Sequence, residues 1–160
     1  MPQIIECPER HYIGIRKSIT MTTFHLVADR IGELYGWLAA RGTPPAGGPF
    51  FRYLVIDMDG DLVVEAGVPV HEPVPGEGDI IAGTLPAGRY VQETHVGHPD
   101  QLVDVTDALL RWAREQGLSF AMSEQPDGQH WDSRLEFYHT NPEEQPDMTK
   151  WEIELQFGLA

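Results

Sequence analysis

The 160-residue chain is short of cysteine, of basic residues and of long apolar runs, and each shortage removes a class of function. Its one cysteine, Cys7, cannot close an intramolecular disulfide, and no Cys or His stands near it at zinc-ligand spacing. A reducing compartment is therefore expected and a structural zinc is not. No stretch approaches the roughly 20 consecutive apolar residues of a membrane span. The opening MPQIIECPERHYIG has neither the basic flank nor the apolar stretch of a secretory signal, so a soluble, cytoplasmic protein is expected. Lys and Arg number 11 against 25 Asp and Glu, a formal charge of −14. Such a surface repels phosphate backbones and anionic lipid, so neither direct nucleic-acid binding nor membrane binding is expected, whereas organic cations are drawn toward it.

Several chemical signatures are missing as well. There is no phosphate-binding glycine loop, nucleophile elbow or paired-cysteine motif. Seven histidines are present, but His95 and His98 lack a third His or carboxylate nearby, and neither a metal nor another cofactor is expected. DMDGDLVVE at 57–65 has the first acids of a calcium loop without the full EF-hand spacing, and Asp59-Gly60 between apolar runs reads as a hairpin turn.

What is present falls into two similar halves. HYIGIRKSI at 11–19 reads as a strand. From Thr22 to Ala40 the residues Phe24, Val27, Ile31, Leu34, Tyr35 and Leu38 recur at helical spacing, and Gly42 with Pro44-Pro45 marks the stop. Two apolar runs on either side of Asp57–Asp61 follow as paired strands. Past a Pro, Gly and Glu-rich connection at 71–79, a short strand at Ile80–Leu85 and a longer one at Gly88–Val96 lead to a helix over Asp100–Gln116, ended by Gly117. Strands at Arg134–Thr140 and Trp151–Phe157 complete the second half.

The pattern predicts one α+β domain over 1–160. It consists of duplicated β-α-β-β units, about 10–70 and 80–158, forming one curved antiparallel sheet. The two main helices are expected on one face, with a ligand pocket between the halves on the other. Tyr35 and Trp112, on helix stripes, are expected in the core, and Glu65 and Glu93 on solvent-facing strand positions.

Six segments, YIGIR at 12–16, EAGVPV at 65–70, GTLPAGRYV at 83–91, HVGHPDQL at 95–102, LLRWAREQGL at 109–118 and LEFYHTNP at 135–142, occur in an order and spacing that resemble the GyrI-like family. That family includes the effector-binding domains of MerR-type and AraC-type multidrug regulators, stand-alone drug-binding proteins and a gyrase-inhibitory protein. The resemblance implies a pocket between the halves, lined by aromatics and holding an acid that meets cationic drugs. The acid of the family's Glu-x-Tyr-x-x-x-Pro pattern falls on Glu136, with Tyr138 and Pro142 completing it. The usual proline-containing C-terminal ending is replaced here by WEIELQFGL.

In a strand, Glu136 and Tyr138 share one face while Leu135 and Phe137 share the other, so one face can serve the helices and the other the pocket. Tyr53, Tyr90 and Trp131 are the further ligand-contacting candidates, offering cation–π attraction of about 0.5–2 kcal/mol each. Trp131 equally suits a turn anchor. Read without the resemblance, Glu136 is a strand carboxylate paired with Arg134 or hydrogen-bonded to Tyr138.

The expected function is binding of hydrophobic, cationic small molecules. The alternative is hydrolysis of cyclopropane-containing genotoxins, with Glu136 handling the water, and a third reading is a protein-interaction or gyrase-modulating module. No helix-turn-helix precedes residue 10, so a regulatory role calls for a protein partner.

Overall fold

A computed structural model describes residues 2–57 and 59–160. The first half contains β1 (Gln3–Cys7), β2 (Arg10–Ile19), α1 (His25–Ala28), α2 (Ile31–Ala40), β3 (Phe50–Ile56) and β4 (Leu62–Val70). The second contains β5 (Ile81–Leu85), β6 (Gly88–Val96), α3 (Leu102–Glu115), β7 (Met122–Gln125), β8 (Gly128–Trp131), β9 (Arg134–Tyr138) and β10 (Glu152–Gly158). Among the described residues no helix is long and apolar enough to cross a membrane.

The strands form an antiparallel sheet in the order β1-β6-β10-β9-β3-β4-β2-β5, with β8 also paired to β3 and β7 to β8. This order is symmetric about its middle. In each half the first strand pairs with the last and the last with the middle one, and the halves join where β3 meets β9, with Phe51 opposite Glu136. The outer strands are exchanged: β1 precedes β2 but pairs with β6, and β5 precedes β6 but pairs with β2. Only Pro8 and Glu9 separate β1 from β2, a link that spans at most about 11 Å. The two ends of the strand order must therefore lie close together, and the sheet curls strongly. Arg10 of β2 bridges them directly, donating from Nη1 to Gln156 Oε1 of β10 at 3.0 Å and standing 5.4 Å from the Tyr90 ring of β6.

Alternation along the strands divides the core. On one face Ile13, Ile15, Val64, Val91, Ile153 and Leu155 pack with Val27, Leu34, Leu38, Leu109 and Ala113 of the helices. On the other, Tyr12, Phe50, Leu85, Tyr90, Leu135 and Phe137 form a separate cluster inside the curl.

Both long helices end alike. Gly42 and Gly117 adopt φ of 65° and 72°, and the next residue donates back five positions, Thr43 N to Leu38 O at 3.1 Å and Leu118 N to Ala113 O at 2.9 Å. The single helix expected over 22–40 is broken into α1 and α2. At the junction Arg30 N bonds Val27 O and Glu33 N bonds Arg30 O, both at 3.1 Å, a locally tightened turn. Arg30 is held there by Glu33 and by Asp79, to which its Nη2 donates at 2.7 Å.

Glu65 also departs from expectation. It is fully buried on the inner face, where it accepts the Tyr12 hydroxyl proton and takes Nε and Nη2 of Arg16 on Oε2 at 2.9 and 2.7 Å. Arg52 donates to the Tyr12 hydroxyl at 2.9 Å and to Asp132 O at 2.7 Å. The curl encloses a strand position that would face water in a flat sheet.

Candidate functional site

α1 and α2 pack over β2 and β4, and α3 packs over β6. The central strands β3 and β9 lie between these flanks. From β3 come Phe51 and Tyr53, and from β9 come Arg134, Glu136 and Tyr138, all on the face that carries the helices. This corrects the expected placement of Glu136 and Tyr138 on the helix-free face. Alternation is as anticipated, but Leu135 and Phe137 are needed inside the curl, so their neighbours turn toward the helices.

Glu136 is half-buried among aromatic rings. Its Oε1 accepts the Tyr138 hydroxyl at 3.0 Å, and the Tyr53 phenol lies near enough to favour its charged form. Phe51 meets Tyr138 edge-on at 5.5 Å, while Phe24, just before α1, covers Phe51 at 4.8 Å and Tyr53 at 6.2 Å. Desolvation pushes the Glu136 carboxyl above its ordinary range, against the opposing pull of the two phenols and Arg134. The same desolvation, reinforced by the carboxylate, raises Tyr53 and Tyr138 and keeps both protonated as donors.

The other candidates divide. Trp131 ends β8, buried against Phe157 at 5.7 Å and Phe120 at 5.4 Å, and its ring stands 4.9 Å from the Arg134 guanidinium. Tyr90 does not join the group: it lies on the inner face, with its hydroxyl donating to Pro86 O at 2.7 Å and lying 3.0 Å from Ser133 Oγ. Its position in β6 has the wrong parity to meet Glu136. Phe24 and Arg134 belong to the site and carried no family motif; the i, i+2 spacing of Arg134 to Glu136 was the available signal.

A separate recess of about 500 Å³ opens on the face away from Glu136, lined by Arg10, His11, His71, Phe137, His139 and Glu154 among others. His139 and Glu154 are joined there at 2.8 Å. The uncompensated charge there is a cation, Arg10, whose Nε and Nη2 are buried without partners among the described residues, beside Tyr90 and Phe137; the acid that can meet an organic cation is Glu136, where we place the candidate site. Among the described residues no group of three metal-ligating side chains occurs.

The chain matches the GyrI-like family, described as a GyrI-like small molecule binding domain, over residues 1–159. It belongs to that family. Among solved structures, the GyrI-like domain is similar to EcmrR in the EcmrR–DNA complex, with a TM-score of 0.78 and 21% identity over 99% of this chain and 57% of that one. It therefore spans little more than half the length of that relative. It also resembles SAV2435 bound to tetraphenylphosphonium, with a TM-score of 0.61 and 12% identity over 100% of this chain and 94% of that one. Among related sequences, the UPF0178 protein R01393 of Rhizobium meliloti (strain 1021) is 27% identical over 111 residues, 61% of this chain and 75% of that protein. At these identities the solved structures establish the shared fold.

Proposed function

We propose that this GyrI-like domain binds hydrophobic, positively charged small molecules in the groove over β3 and β9, with Glu136 as counter-charge. One observation carries this reading: a carboxyl held among Tyr53, Tyr138, Phe51 and Phe24, with its pKa raised because those contacts do not replace water. A cationic ligand supplies the missing compensation, and the rings add cation–π attraction of about 0.5–2 kcal/mol apiece. Tetraphenylphosphonium bound to SAV2435 is a ligand of this chemistry on the same fold. The surface charge of −14 raises the local concentration of such cations. Since the groups acting on Glu136 are two phenols and, at longer range, Arg134, binding is the reading we favour over hydrolysis. A sensing role for the complex calls for a partner protein that reads it out.

Titration with a fluorescent lipophilic cation, followed by polarisation and tryptophan quenching, tests this. Saturable binding is expected, weakened about tenfold or more by Glu136→Gln, roughly 1.4 kcal/mol. Saturable binding that the substitution leaves unchanged contradicts the assignment.

A further inference from the structure

The groove already contains a cation. Arg134 lies two residues before Glu136 on the same face of β9, and its guanidinium stands 4.6 Å from the Phe157 ring, 4.9 Å from Trp131 and 5.8 Å from Tyr53. These are the faces an organic cation would occupy. The nearby carboxylates of Glu136 and Asp107 act on it only at longer range. Among the described residues Arg134 forms no ion pair and donates no side-chain hydrogen bond, and its nitrogens are not among the buried unpartnered atoms, so they keep contact with solvent. The fork geometry of a guanidinium matches a carboxylate or another planar oxyanion.

Resting on the groove as the binding site, we infer that its preferred ligand is a hydrophobic zwitterion, whose positive end meets Glu136 and whose carboxylate or similar anion meets Arg134. The two side chains leave the strand about 7 Å apart, which sets the scale of the charge separation. A purely cationic ligand shares the groove with a like charge and leaves the guanidinium donors unpaired. A plain anion is opposed by the overall charge of −14 and by Glu136 itself. A zwitterion avoids both penalties. Arg134 is thus the residue that sets the charge class of the ligand.

A rhodamine dye in its free-carboxylate, zwitterionic form and the ethyl ester of the same dye, a pure cation, form a matched pair of probes. The native protein is expected to bind the carboxylate form about tenfold more tightly than the ester. Arg134→Gln should reduce that preference to about twofold or less, and Glu136→Gln should weaken both dyes. Melting curves establish that each variant is folded; should Arg134→Gln fail to fold, the comparison of the two dyes on the native protein decides. Equal or tighter binding of the ester by the native protein, or a preference that survives in folded Arg134→Gln, overturns the inference. If both dyes bind, Glu136→Gln weakens both and no preference exists, the role of Arg134 fails and the groove stands. If neither dye binds, both fail together.

Discussion

The Tyr138 hydroxyl donates to Glu136 Oε1 across 3.0 Å, two residues along one strand, so the acid and its principal donor are fixed by the same stretch of backbone. That bond and the nearby Tyr53 phenol do not offset desolvation, and the carboxyl stays above its ordinary value of 4.5. As pH rises past 4.5 the unfolded chain loses this proton while the folded chain retains it, so folding stability falls until the folded carboxyl also ionises. Glu136→Gln should therefore melt higher than the native protein at pH 7–8. The difference should close below pH 4.5. Paired melting curves across pH 4–8 check this, and a variant that melts lower at neutral pH contradicts it.

Phe24 reaches the groove from outside the sheet, 4.8 Å from Phe51 and 6.2 Å from Tyr53. Aromatic pairs contribute about 0.5–1.5 kcal/mol beyond area burial, so Phe24→Ala should weaken binding of an aromatic cation roughly 2- to 12-fold. Isothermal titration measures it. Unchanged affinity would place the ligand elsewhere.

Glu65 is joined to Arg16, Tyr12 and Arg52 on the inner face, away from the groove. Glu65→Ala leaves the buried Tyr12 hydroxyl without its acceptor and frees the half-exposed Arg16, a loss of about 1–3 kcal/mol or roughly 2–12 °C in Tm. Dye affinity below the melting transition should be unchanged, because Glu65 and Glu136 occupy opposite faces.

Phe50, fully buried, lies flat against β4 where Gly67 has no side chain; a Cβ there would come within 2.5 Å of the ring. Gly67→Ala is expected to destabilise by about 1–3 kcal/mol through overpacking. Denaturant unfolding gives the value, and Phe50→Leu in the same chain should recover part of it.

Much of this architecture is legible in the sequence. The stops at Gly42 and Gly117, the hairpin at 57–61 and the alternation through β9 follow from local chemistry, and they place Tyr53, Glu136 and Tyr138 on strands. Period two assigns residues to alternate faces without saying which face is which. That choice rests on the curl, set by the exchange of β1 and β5, and the five residues of β1 (QIIEC) are too short and exposed to read as a strand. The same curl sends Tyr90 inward and buries Glu65. The β7–β8 hairpin is hidden by its polar sequence, MSEQ and GQHW, and it is this hairpin that carries Trp131 to Arg134.

Amide chemical-shift mapping with a saturating lipophilic cation tests the central claim most directly, because Glu136 and the recess around Arg10 lie on opposite faces of the sheet. The account predicts the largest shifts at Phe24, Tyr53, Glu136 and Tyr138. Shifts confined to Arg10, His71 and His139, around the recess on the other face, would contradict it.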